Sequence, residues 1–320
     1  MRVAVVIPCF RVKAHIVELV KSIPPTVSVI VAVDDACPEG SGAHLRSLCD
    51  DPRLQILTHE VNQGVGGAVV TGCRAALAAG SDVVVKLDGD GQMDPAHLPR
   101  LLKPITAGKA DFTKGNRFYD LDALKQMPLV RRLGNLALTV LTKFASGHWH
   151  VSDPTNGYVA IHRTVLSRLD LSRLDKRYFF ETSLLIQLNI LRAVLHDVPI
   201  PARYADEKSN LSVLNTLLTF PGKLLRGFAT RFVWRYFIYE VSAVTLFTMA
   251  GLPLLAAGTL FGGVEWVRAA QQGAFASAGT VALALLPTIL GCQLLLQAML
   301  LDVMEKPTVP LSAADLPEPS

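Results

Sequence analysis

Residues 82–91 read Asp-Val-Val-Val-Lys-Leu-Asp-Gly-Asp-Gly. A run of β-branched and apolar side chains delivers two carboxylates, Asp88 and Asp90, one residue apart into a glycine-rich turn that continues as Gln92-Met93-Asp94-Pro95. Such a run bounded by turn residues predicts a buried strand. Gly89 lets the backbone bend tightly, so both carboxylates can face one hard cation, or phosphates bridged by it. A solvated turn after a strand has the same local sequence, so the flanking chain must decide between the two.

Outward from this stretch, residues 2–110 alternate β-rich runs with amphipathic segments. VAVVIP precedes AHIVELVKSI, VSVIVAVDD precedes SGAHLRSLCD, LQILTHE precedes GGAVVTGCRAALAAG, and DVVVKLDGD precedes PAHLPRLLKPITAG, before a last run ADFTKGNR. The alternation predicts an α/β fold with a mostly parallel sheet covered by helices on both faces. In open sheets of this kind ligands bind beyond the carboxyl ends of the strands, where Pro8, Asp34, Asp35, Asp88 and Asp90 fall. Residues 121–203 are less regular, with a helical LVRRLGNLALTVLTKFASG, a turn and strand in SDPTNGYVAIHR, a helical FFETSLLIQLNILR and a strand-like HDVPIPARY.

The composition is 50% hydrophobic and 18% charged over 320 residues, too oily for an ordinary soluble enzyme. The excess lies in residues 236–262 and 274–301, each longer than the roughly 20 residues a bilayer crossing needs. Two membrane spans near the C-terminus are expected, preceded at 211–235 by one or two amphipathic helices in the membrane surface, interrupted at Pro221-Gly222. The tail at 303–320 is expected to be disordered. No targeting segment is expected, because the chain starts directly with strand-like residues.

Lys223, Arg226, Arg231 and Arg235 crowd the entry to the first span, against a lone Arg268 between the spans. The positive-inside rule therefore predicts a cytoplasmic N-terminal part and tail at the inner or plasma membrane. A net charge of +4 concentrated beside the spans points to anionic lipid and away from nucleic acid. The five cysteines form no C-x-x-C pair, which argues against a disulfide framework and a zinc site. Gly251, Gly258, Gly262 and Gly263 could pack the spans against other protomers in a homo-oligomer.

Further motifs bear on chemistry. NQGVGGA at 62–68 lacks the spacing of a dinucleotide fingerprint, but can bring backbone amides and a helix N-terminus close to a ligand. Asp34-Asp35 can accept hydrogen bonds from a nucleobase or a ribose, or can cap a helix. His148-Trp149-His150 is read as structural or interfacial in preference to a metal site.

In this order, VVIPCF, VDD, N-x-G-x-G-x-A, D-G-D and D-P-T-N-G-Y resemble family 2 glycosyltransferases with the GT-A fold. Within that family the chain is most similar to polyprenyl-phosphate sugar transferases of the dolichol-phosphate mannose synthase type, over residues 3–210 and the two spans. Arg11-Val12 and Asp35-Ala36-Cys37 depart from the family pattern, which has Asn-Glu and D-G-S there. The resemblance implies a catalytic domain at 1–210 that binds a nucleotide sugar through Pro8, Asp34, Asp35, Asn62, Gly66 and Asp88.

It further implies a Mg²⁺ or Mn²⁺ cofactor on Asp88 and Asp90, catalytic roles for Asp90, Asp153 and Arg117, and an acceptor phosphate held by Arg131, Arg203, Lys208 and Ser209. The function implied is inverting transfer of a hexose to a polyprenyl phosphate, with UDP-glucose the first donor considered and other UDP-hexoses and GDP-mannose behind it. Two alternatives remain at this point: a processive polysaccharide synthase, which usually carries Q-x-x-R-W where this chain has Val233-Trp234-Arg235, and a non-catalytic nucleotide-sugar binder.

Overall fold

A computed structural model describes residues 1–119, 129–201 and 213–315. The chain divides into two units, Met1–Arg231 with Pro307–Ser320, and Phe232–Lys306.

In the first unit seven strands form one sheet: β1 (Val3–Cys9), β2 (Val27–Asp34), β3 (Leu54–Thr58), β4 (Val83–Lys86), β5 (Phe112–Asn116), β6 (Val159–His162) and β7 (Leu195–Pro199), in the order β3-β2-β1-β4-β6-β5-β7. Helices α1 (Ile16–Ser22), α2 (Ser41–Leu48), α3 (Val65–Ala78) and α4 (Leu98–Thr106) connect the first five strands, as the alternation predicts. Beyond them come α5 (Leu129–Ser146), α6 (Arg163–Arg168) and α7 (Phe180–Ile190). Alternate residues of β1 enter opposite cores: Val3, Val5, Ile7 and Cys9 on one face, Ala4 and Val6 on the other. A strand covered on both faces has no polar side, which is why its sequence is an unbroken apolar run.

The sheet departs from a parallel one at β6, which runs antiparallel to both β4 and β5. The reversal has a use. Its register pairs Lys86, the last residue of β4, with Val159, the first of β6. The DPTNGY segment that leads into β6 is thereby delivered to the rim where β4 ends, opposite the acid turn, and β5 brings Asn116 and Arg117 to the same rim.

The expected disordered tail carries a 3₁₀ helix at Leu311–Asp315. Its amides explain the order: fully buried Asp111, just before β5, accepts hydrogen bonds from Leu311 N at 3.0 Å, Ser312 N at 2.8 Å and Val194 N at 2.8 Å. Replacing Asp111 by alanine strands these donors. At about 1–3 kcal/mol for a buried donor left unsatisfied, we expect a loss of about 3 kcal/mol, read as a lowered denaturation midpoint.

Helix α8 (Val213–Val233) runs through Pro221-Gly222 without the expected interruption. Its Arg231 is fully buried and donates to the carbonyl oxygens of Ala145 and Phe144, so this cation is a structural brace and not a headgroup contact.

The second unit holds a π-helical turn at Trp234–Tyr239, then α9 (Ala243–Gln272) and α10 (Ala278–Met304), both long and apolar enough to cross a membrane. The first helix starts later and ends later than the apolar run at 236–262, because a capping box of Ser242 and Thr245 sets its start and Gly273, at φ +60°, its end. Tyr236 donates to Asp302 Oδ1 at 2.6 Å and Arg235 pairs with Glu305 at 3.1 Å, tying the π turn to the end of α10.

Candidate active site at the carboxyl rim of the sheet

The acid turn lies on the end of β1. A Cβ added at Gly89 would sit 3.2 Å from the carbonyl oxygen of Pro8, which places Pro8 beside the turn as expected. Gly91 adopts φ +76°, a conformation that L side chains rarely tolerate, and Gln92 N donates to Asp90 Oδ1 at 3.0 Å. Asp88 N donates to the sulfur of Met93 at 3.3 Å, closing the turn.

Behind the turn stands a cation that the sequence did not reveal as part of a site. Lys86, 3% exposed, places its ammonium 2.8 Å from Asp88 Oδ1 and 3.1 Å from Glu181 Oε1, the latter contributed by the first turn of α7. Burial works against the Lys86 charge, but the carboxylates of Asp88 and Glu181 outweigh it and raise its pKa. Gly157 lies flat against this pair: a Cβ there would fall 2.3 Å from Lys86 Nζ and 2.7 Å from Asp88 Oδ2. Only glycine lets the DPTNGY segment approach so closely.

The same segment contributes Asp153, fully buried, which takes a bidentate grip from Arg117 through Nε at 2.8 Å and Nη2 at 3.2 Å. The structure thus brings Arg117 and Asp153 together as one unit. Beneath them, buried Lys114 donates from Nζ to the carbonyl oxygen of Asn156, whose side chain in turn donates to Gly115 O at 2.8 Å. Burial pulls the Lys114 pKa down to about 8, with Lys86 adding to the effect and Asp153, Glu181 and Asp197 opposing it. Burial raises the pKa of Asp197, although Ser152 N donates to its Oδ2 at 2.7 Å. Lys114, Glu181 and Asp197 join the site only through the fold; a charged residue inside an apolar strand run is the one signal that could have found Lys86 and Lys114.

The second group of expected residues is held differently. Asp34 accepts from Cys37 N at 2.8 Å and Gly42 N at 2.6 Å. Asp35, with its side chain 3% exposed, accepts from Gln63 N at 2.8 Å and Gly64 N at 2.7 Å and meets His59 Nδ1 at 2.7 Å. Asn62 donates to Asp35 O at 3.1 Å, and the amides of Gly66 and Gly67 at the start of α3 donate to Lys176 O at 2.9 and 3.2 Å. The amides of Gln63, Gly64, Gly66 and Gly67 are thus engaged by protein, and Asp34, Asp35 and Asn62 are held in place by the same loops.

The two departures from the family pattern meet here. Arg11 and Ala36 both have left-handed φ, +58° and +52°, and Arg11 N donates to Cys37 Sγ at 3.1 Å. His148 donates from Nε2 to Leu185 O at 3.1 Å within the core, consistent with a structural role. Arg203, Lys208 and Ser209, and the side chain of Arg131, lie outside the described residues.

No group of three or more His, Cys, Asp or Glu side chains suited to a metal occurs among the described residues. The rim offers two hard carboxylates, Asp88 partly exposed and already facing a cation, Asp90 beside it. That donor set suits a divalent ion which keeps some of its waters and takes its other ligands from substrate phosphates.

The sequence model of glycosyl transferase family 2 matches residues 4–170. An undecaprenyl-phosphate mannosyltransferase of Micrococcus luteus is 30% identical over 212 residues, 62% of this chain and 83% of the relative. A polyprenol monophosphomannose synthase of Mycolicibacterium smegmatis is 33% identical over 189 residues, 57% and 70% of the two chains. A UDP-N-acetylglucosamine–dolichyl-phosphate N-acetylglucosaminyltransferase of Methanococcus voltae is 33% identical over 150 residues, covering 47% of this chain and 59%, less than two thirds, of the relative. Among solved structures, glucosyl-3-phosphoglycerate synthase of Mycobacterium tuberculosis, in complex with Mn²⁺, UDP and glucosyl-3-phosphoglycerate, superposes with a TM-score of 0.53 over 72% of this chain and 79% of that one; at 20% identity it shows a shared GT-A fold.

Proposed function

Because the chain belongs to glycosyl transferase family 2, with the GT-A fold, we propose that it transfers one hexose from a nucleotide sugar to a polyprenyl phosphate at a membrane. The observation that carries this reading is the meeting of the Asp88–Asp90 turn and the Arg117–Asp153 pair on one rim, in a chain that continues into two helices long and apolar enough to span a bilayer. The relatives named for polyprenyl-phosphate and dolichyl-phosphate sugar transfer support the acceptor class. The basic residues before α9 support a cytoplasmic catalytic unit in an inner or plasma membrane.

Asp90 and Asp88 would hold Mg²⁺ or Mn²⁺, the ions bound with UDP in the GT-A neighbours. When bound, the ion stabilises the charge that builds on the departing diphosphate. The remaining roles fall to the chain itself. Lys86 fixes the orientation of Asp88, with Glu181 sharing its charge. Arg117, oriented by Asp153, presents a guanidinium to phosphate oxygens. To these the family resemblance adds Arg131, Arg203, Lys208 and Ser209 as contacts of the acceptor phosphate. A lipid phosphate is already ionised near neutral pH, so no strong general base is required, and a single displacement inverts the anomeric carbon. Asp153, held by Arg117, positions and does not deprotonate.

The proposed donor is a UDP-hexose, with UDP-glucose first and GDP-mannose as the contrast. Purified protein given a divalent cation, polyprenyl phosphate and a panel of radiolabelled nucleotide sugars is expected to yield a glycolipid carrying one sugar from one donor. No product from any donor would overturn the reading, and a chain-extended product would assign the protein to polymerisation.

Lys114 adds a pH dependence. As pH rises through about 8 its ammonium loses charge beneath the Asn156 turn, so transfer is expected to fall along an alkaline limb that Lys114→Arg displaces upward. Stability should move the opposite way. A lysine pKa depressed by folding means the unfolded chain holds the proton longer, so the Lys114-dependent stability rises with pH between about 8 and the ordinary lysine value of 10.5. Rate and denaturation midpoint measured over the same pH range distinguish the local effect from general unfolding.

A further inference from the structure

Small residues in the membrane helices do not face outward as the sequence suggested. A Cβ at Gly291 would lie 2.4 Å from Leu255 N, one at Gly258 2.4 Å from Thr288 Oγ1, and one at Gly251 3.1 Å from Gly291 O. Gly262 likewise faces Ala284, at 3.1 Å. These glycines pack α9 against α10 within one chain, and of the four that were expected to join protomers only Gly263 has open space around it.

Starting from Thr288 at the edge of this contact, the outer face of α10 carries a different signal. Thr288, Cys292, Gln293, Leu296, Gln297 and Leu300 line a shallow groove there. Gln293 and Gln297 are exposed and one turn apart. From the middle of α10 they lie about 3 and 9 Å along the axis at 1.5 Å per residue, inside the roughly 15 Å half-thickness of the hydrocarbon. Two primary amides at that depth face acyl chains, which neither donate nor accept hydrogen bonds.

We infer that this face of α10 packs against the same face of a second copy of the chain. The inference rests on the membrane-spanning reading of α9 and α10 given above. An amide both donates and accepts, so the partner that satisfies it fully is another amide. All copies insert in one orientation, so a two-fold axis along the membrane normal sets the α10 helices parallel and brings each glutamine level with its own counterpart. Two such residues per helix allow reciprocal bonds of the kind that hold membrane helices together. Thr288 Oγ1 is turned inward, donating to Ala284 O at 2.7 Å, which leaves the glutamines as the polar contribution of this face. Cys292 is exposed beside Gln293 and would stand close to its own copy at such an interface.

The geometry makes the test available with a native residue. Membranes containing the full chain at low expression are treated with copper-phenanthroline and compared with the Cys292→Ser and Gln293→Leu/Gln297→Leu variants, after an alkaline carbonate wash that retains integral proteins. We expect a covalent dimer at twice 34.6 kDa, absent in Cys292→Ser and reduced at least tenfold in the double leucine variant, which remains in the washed membranes. Retention without a Cys292-dependent dimer would overturn the interface alone. A dimer indifferent to the leucine substitutions would overturn it too, assigning the face to lipid and the disulfide to random collision. Release of the chain by the wash would overturn the membrane reading and the interface with it.

Discussion

Asp90→Asn is expected to abolish sugar transfer, lowering kcat by at least ~100-fold, the scale on which removal of a single charge-stabilising group acts. The substitution is close to isosteric, and asparagine Oδ1 can still accept from Gln92 N, the bond that shapes the turn. What disappears is the negative charge proposed to hold a divalent cation at the diphosphate. The denaturation midpoint should therefore stay within about 1 kcal/mol of wild type, the scale of the altered surface charge. Transfer by the variant at the wild-type rate would remove Asp90 from the mechanism.

Gly157→Ala should produce a loss of similar size by a different route. Its methyl group would enter a space already bounded by Lys86 Nζ and Asp88 Oδ2. Relief requires either the DPTNGY segment to move outward, carrying Asp153 and Arg117 with it, or the Lys86–Asp88 pair to open. A misplacement on the order of 1 Å in a catalytic arrangement can lower a rate ~100-fold. The loss is expected in kcat, with Gly263→Ala, where a Cβ meets nothing within 4 Å, retaining full activity as the control. Full activity of Gly157→Ala would mean that the close approach of the two segments is dispensable.

The first half of the sheet was legible because its information is local. The strands of 3–86 are mostly apolar and β-branched runs, with polar interruptions at Ser28 and Gln55, the helices between them are amphipathic segments, and the acids at the strand ends follow from the direction of the chain. The reversed strand was not legible: VAIH at 159–162 looks the same in either direction, and only pairing with Lys86 and Lys114 decides it. Nor could the sequence reveal the Lys86–Glu181 contact, which joins residues 95 positions apart. Asp35 shows a third limit. Its place at the rim was readable, but not that its carboxylate accepts from Gln63 N and Gly64 N and so also supports the loop before α3. The glycines of α9 and α10 show a related one, since small residues mark close approach without saying which helix approaches.

The docking of the C-terminal residues on Asp111 bears on how the molecule withstands being cut. The chain leaves its first unit after Arg231 and returns at Pro307, so the fragment after a break at 273–277 keeps two separate holds: α10 against α9, and Leu311 and Ser312 against Asp111. Two co-expressed pieces, 1–274 and 275–320, should accordingly reassemble into an active enzyme, and Asp111→Ala should weaken that reunion far more than it weakens the intact chain, because covalent continuity no longer returns the loose end to its seat.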